Sequence, residues 1–234
     1  MSTCNWNVAR SVVYRLCILL TLTTDINCLS AVAQDPSHDN DAPTMAPSVP
    51  INLKWKTLGG KQFWTDIQYD GGWRIQENAV TGHFRLIDEA QVRHAWGSLE
   101  TCQRELLALK TAGNVTATKG RVVIVLHGLI RTTESMRKLG RYLQDNSDLT
   151  AVDFEYASTR RPVAYHAQAL AGVIDSLGSE VTEINFVAHS LGNIVIRRYL
   201  ADQARDGGRI DPRLRRMVMI GPPNQGSKMA RIFK

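Results

Sequence analysis

Ser190 stands where an apolar run ends. Ile184-Asn185-Phe186-Val187-Ala188-His189 leads into it, and Leu191-Gly192 leads out into an amphipathic segment. A serine hydroxyl is a poor nucleophile unless a base takes its proton and hydrogen-bond donors hold the oxyanion that results. A strand-turn-helix placement helps geometrically. It exposes the serine at the apex of a sharp turn, and the helix behind it offers backbone N–H groups. So tight a turn demands small residues two before and two after the serine. Gly192 meets that demand fully, and Ala188 meets it with one extra methyl. A second stretch, Val125-Leu126-His127-Gly128-Leu129, ends a β-branched run and passes at once into His-Gly. A third, Ile220-Gly221-Pro222-Pro223-Asn224-Gln225-Gly226-Ser227, is a turn that follows another apolar run.

The elements that must position these residues follow from residue periodicity. Val122-Val123-Ile124-Val125-Leu126 is a continuous apolar run, as expected of a strand buried on both faces. Residues 133–144 have helical spacing, with Met136, Leu139, Tyr142 and Leu143 expected on one side. Residues 150–156 read as the next strand. Pro162 opens a helix to about Leu177, a position where its missing N–H costs nothing. The strand before Ser190 comes next, then a helix over 191–205 stopped by Gly207-Gly208, then a strand over 217–222. Alternating strands and helices predict an α/β fold with a mostly parallel sheet covered by helices on both faces. Upstream, Phe63, Thr65, Ile67 and Tyr69 alternate, Asp70-Gly71-Gly72 is a turn signal, and Trp73-Arg74-Ile75-Gln76 resumes. This predicts N-terminal β-hairpin strands, a further strand over 81–88 and a helix over 98–110. Trp55, Trp64, Trp73 and Trp96 fall in this part and are assigned to core packing over a binding surface. No internal repeat is present.

On these motifs the chain resembles the α/β-hydrolase superfamily, particularly its lipases and esterases. The resemblance covers about residues 121–230. It implies Ser190 as nucleophile, with the backbone N–H groups of Leu129 and Leu191 as the oxyanion hole. His127 and Gly128 then hold the loop, His127 is not the base, and His189 points away from the serine. The turn at 220–227 resembles a Gly-Thr-Pro-x-x-Gly-Ser turn of bacterial lipase-like members, with Pro222 in place of Thr. The family places its acid and its histidine after the serine. Here His38, His83, His94, His127, His166 and His189 all precede Ser190, and Asp202, Asp206 and Asp211 do not occupy the acid position. The acid and histidine are therefore expected beyond Lys234, the fold is expected to lack its last strands, and the strand at 217–222 is expected to show an unpaired apolar edge. A degenerate member, or an unusual base such as His83, is the other reading.

The function expected is an exported serine hydrolase of carboxylic esters or lipids working through an acyl-enzyme. The alternatives are an acyltransferase on the same fold, a non-catalytic binding protein, or an inactive remnant. No metal or cofactor is implied.

Composition is compatible with this. The formal charge is +6, with basic clusters at Arg131, Arg137, Lys138 and Arg141, at Arg160 and Arg161, at Arg197 and Arg198, and at Arg213, Arg215 and Arg216. Solvated helix faces and helix C-termini account for these, with attraction to an anionic lipid surface as the sharper alternative. No aromatic-interleaved basic stretch points to nucleic acid. Residues 1–33 read as a signal peptide, with Arg10 and Arg15 before an apolar core and Ala31-Val32-Ala33 as the cleavage site, which implies a periplasmic or extracellular location. Residues 34–50, rich in Asp, Ser and Pro, read as a disordered linker. The remainder divides into an N-terminal β-hairpin and helix region, 51–118, and an α/β core, 119–234. Of four cysteines only Cys102 follows the leader, and its helical setting predicts a packed thiol and no disulfide.

Overall fold

The computed structural model describes residues 55–56, 61–205 and 210–226. All belong to one compact unit spanning 49–234. The expected leader and linker, the stop at Gly207-Gly208 and Ser227 lie outside the described residues. In chain order the elements are β1 (Trp55–Lys56), β2 (Trp64–Asp70), β3 (Trp73–Asn78), β4 (Phe84–Ile87), β5 (Val92–Gly97), α1 (Leu99–Thr111), β6 (Gly120–Leu126), α2 (Arg137–Asp145), β7 (Leu149–Phe154), α3 (Val163–Ser176), β8 (Val181–His189), α4 (Leu191–Arg205) and β9 (Leu214–Ile220). None of these helices is long and apolar enough to cross a membrane.

The architecture is mixed α/β with two sheets. A parallel sheet runs β7-β6-β8-β9, and an antiparallel sheet runs β1-β5-β4-β3-β2. The parallel sheet matches the expectation for the second half of the chain. The antiparallel part is larger than the hairpin expected, because β5 carries a mixed Val-Arg-His-Ala-Trp-Gly sequence without a clear apolar alternation.

In β6 the two-residue period sorts side chains into two cores. Val122, Ile124 and Leu126 face α3 and α4, where Leu170, Ile174, Val195 and Ile196 meet them. Val123 and Val125 face the other way, into a smaller core with Met136, Leu139 and Leu143 around α2. Each fully buried aliphatic side chain contributes about 1.5–3 kcal/mol. Tyr142 departs from the expected apolar side of α2: it is 62% exposed. β9 ends the sheet, and Val218, Met219 and Ile220 are exposed along it.

The antiparallel sheet is two-faced. Ile75, Leu86 and Ala95 lie opposite one another across β3, β4 and β5 and pack on Cys102 and Leu106 of α1. Ser98 caps α1 by accepting from the Thr101 amide at 3.2 Å. Cys102 is fully buried, and burial pushes its thiol up to about 11, so it is a packed thiol. The β2–β3 hairpin closes through Gly71 and Gly72, with φ of 51° and 86°, values that favour glycine at both turn positions. Of the tryptophans expected in the core, Trp73 packs against this cluster. Trp96 is instead exposed, stacked on His83, and Trp64 lies under the guanidinium of Arg85.

The opposite face of this sheet is polar and yet buried. Asp66 accepts from Arg74 Nη1 at 2.7 Å and Gln76 Nε2 at 2.6 Å, and Gln76 Oε1 accepts from Arg85 Nε at 2.9 Å. Here β2 meets the chain just past β7. The Asp66 amide donates to the Glu155 carbonyl, the Glu155 amide donates to the Asp66 carboxylate, and the Ala157 amide donates to Thr65 Oγ1. α3 spans both sheets, since Ser176 Oγ bonds the Tyr69 amide and carbonyl at 2.9 Å.

Candidate active site

Ser190 is the single residue between β8 and α4, and its φ of 49° lies in the left-handed region. That conformation costs a residue with a Cβ about 1–3 kcal/mol, so its surroundings must enforce it. The end of β9 does so. The Ser190 amide donates to the Ile220 carbonyl at 2.9 Å. Asn193, fully buried on the first turn of α4, donates through Nδ2 to the carbonyls of Ser190 at 3.1 Å and Ile220 at 3.3 Å. The motif reading did not single out Asn193. A polar residue on the inward face of a helix, three positions past the turn, was the available signal.

Close approach explains the small residues. A Cβ on Gly192 would sit 2.8 Å from Leu126 Cβ and 3.0 Å from the His127 carbonyl. A Cβ on Gly128 would sit 2.7 Å from His189 Nδ1 and 3.3 Å from Ser190 Cβ. The His-Gly loop and the serine turn are thus in van der Waals contact. Ala188 is fully buried in β8, between Leu126 and Met219. His189 lies against Gly128, on the side of the His-Gly loop.

The loop after β6 is fixed from below. The His127 ring stacks on Tyr156 at 4.2 Å, its Nδ1 donates to the Gly128 carbonyl at 2.9 Å, and Tyr156 Oη donates to the His127 carbonyl. His127 Nε2 faces Glu155 Oε1 at 3.4 Å, and Glu155 Oε2 accepts from the Thr133 amide and hydroxyl. Beside Tyr156 lies His166, fully buried with at most a weak contact to the Arg161 backbone; burial pushes it down to about 4. Neither the Leu129 nor the Leu191 amide donates to an acceptor among the described residues.

Among the described residues no histidine or carboxylate is hydrogen-bonded to Ser190. Ser190 Oγ has no hydrogen-bond partner among the described residues. His83 stacks on Trp96 and makes no ring contact or hydrogen bond with the turn. Asp202 is paired with Arg198 and Arg205, and Asp211 with Arg213. After β9 the chain turns, with the Asn224 amide donating to the Pro222 carbonyl at 2.9 Å and Arg197 donating to Asn224 Oδ1 at 2.7 Å. No family model, no curated protein and no solved structure matches the chain.

Proposed function

We propose that the protein is an exported serine hydrolase of carboxylic esters, on an α/β-hydrolase fold, acting through an acyl-enzyme at Ser190. One observation carries the reading: a non-glycine residue is held at φ 49° between a buried parallel strand and a helix, in contact with a His-Gly loop. Such strain is retained where it positions a reactive group. In this reading Ser190 Oγ attacks the ester carbonyl while its proton passes to a base. The amides of Leu129 and Leu191 receive the developing oxyanion, and the alcohol leaves. Water then repeats the attack on the acyl-serine and releases the acid. His127 is a positioning residue, locked under Gly128 by Tyr156. The reading requires a histidine and an acid from outside the described residues.

The test uses the protein isolated from its natural source. It should hydrolyse p-nitrophenyl esters, and brief exposure to substrate should leave an acyl group on the Ser190 peptide. Ser190→Ala should lose turnover by at least about a thousandfold. Undiminished turnover by that variant would sink the assignment. The unpartnered Ser190 Oγ favours a second reading, a non-catalytic binding protein of the same fold. That reading gains if the wild-type protein turns over no ester and Ser190 is never acylated.

A further inference from the structure

The polar face of the antiparallel sheet and α2 enclose a cavity of about 410 Å³, within the size range of small-molecule sites. None of its lining residues belongs to the Ser190 turn. Its floor is Arg85, Gln76, Arg74 and Glu155, and Arg137 and Arg141 of α2 form a wall. Most of its charges are already matched. Arg74 is paired with Asp66, and Lys61 and Arg137 share Glu134. Glu155 is held by Thr133. The Asp153 carboxyl is tucked under α2 against Gly140, where burial raises its pKa and so favours the neutral form.

Two guanidinium groups have no ion pair among the described residues, and neither does the Glu89 carboxylate that also lines the cavity. Arg85 is 4% exposed, lies over Trp64 with its guanidinium carbon 3.9 Å from the ring centre, and among the described residues makes one hydrogen bond, through Nε to Gln76. Its terminal nitrogens have no protein acceptor, and burial draws its pKa down to about 10, a sign of incomplete compensation. Arg141, exposed at the rim, has no ion pair among the described residues. A buried guanidinium with most of its donors unmatched is costly, and a bound oxyanion removes that cost. Two guanidinium groups offer donors to one oxyanion with several oxygens, and Glu89 and the polar floor residues suit hydroxyls attached to it.

We propose that this cavity is a binding site for a phosphomonoester, its phosphate seated on Arg85 and closed over by Arg141. The forked guanidinium of Arg85, held over Trp64 with only Nε engaged, keeps its terminal nitrogens for a two-point contact with phosphate oxygens. Glu155 lines the cavity and also stands beside His127, so an occupant shares a residue with the loop under Ser190. The binding itself does not depend on the hydrolase reading.

Titration calorimetry on the full chain at matched ionic strength tests this, with glycerol 3-phosphate as probe and glycerol and succinate as controls. Saturable one-to-one binding of glycerol 3-phosphate is expected, with none for glycerol and weaker binding of succinate. Arg141→Gln, a surface change, should weaken it about tenfold, the loss of one charged hydrogen bond. Arg85→Met should abolish it, with circular dichroism confirming the fold. Lys138→Gln, exposed on the same helix and outside the cavity, should leave it unchanged, as should Ser190→Ala. Sedimentation with phosphatidylcholine vesicles carrying phosphatidic acid distinguishes a lipid headgroup from a soluble source of the same phosphate. Absence of saturable binding to either probe, equal affinity for succinate, or equal losses in Arg141→Gln and Lys138→Gln would each overturn the proposal.

Discussion

The two sheets bury their inner surfaces by opposite means. The parallel sheet is apolar on both faces: β6 sends Val122, Ile124 and Leu126 into one core and Val123 and Val125 into the other. The antiparallel sheet is apolar toward α1, and β2 adds Ile67 and Tyr69 to the core around α3, but the face away from α1 hides Asp66, Gln76 and Arg85 at 6% exposure or less. Burial there is sustained by hydrogen bonds and charge pairing. The first design tolerates small changes of volume and punishes loss of bulk; the second tolerates little loss of a partner.

The sharpest way to break this contrast is Asp66→Ala. It strands Arg74 and frees the Glu155 amide at once, and urea unfolding should show a loss of about 3–5 kcal/mol. A loss below about 1 kcal/mol would mean that the polar face is solvated and the contrast false.

His166 supplies an intermediate effect, because it is a polar group buried in the parallel half with little to compensate its burial. Its folded pKa, about 4, lies below its ordinary value of 6.5. The unfolded chain therefore binds the proton first as pH falls. Stability is full above pH 6.5, declines between about 6.5 and 4, and levels below that, a loss of at most about 3 kcal/mol. Asp66 and Asp153, whose pKa values are raised by burial, act in the opposite sense, favouring the folded chain as pH falls. The difference between wild type and His166→Phe isolates the histidine. Identical pH profiles for the two would assign His166 a solvated environment.

The smallest effect should come from Ile124→Val, which removes one methyl from the apolar half and should cost about 0.5–1.5 kcal/mol. A cost as large as that of Asp66→Ala would erase the distinction between the halves.

What could be read in advance follows the same division. β6, β8 and the helices α3 and α4 were legible because continuous apolar runs and 3.6-residue spacing admit few alternatives. Ser190, Gly192 and the His-Gly pair were legible because tight turns restrict residue size. The antiparallel half was harder. β5 has no clean alternation, and the polar residues of β3 and β4 look like an ordinary solvent face. Nothing local reveals that Arg74, Gln76 and Arg85 converge on Asp66, since that depends on register between strands. Arg137 and Arg141 read as part of a solvated basic face, yet α2 turns them toward a cavity. Asn193 was overlooked because its partners, the carbonyls of Ser190 and Ile220, come together only after β9 docks.

The junction between Asp66 and Glu155 has a consequence in time. These residues are 89 apart in the chain, so joining them closes a long loop, at an entropic cost on the order of 4 kcal/mol before any contact returns it. Contacts so distant in sequence slow folding, and this docking should be a late event. The amides of Asp66, Glu155 and Ala157, contributed by β2 and by the chain just past β7, should then exchange with deuterium at a common rate, as one cooperative unit that opens and closes together.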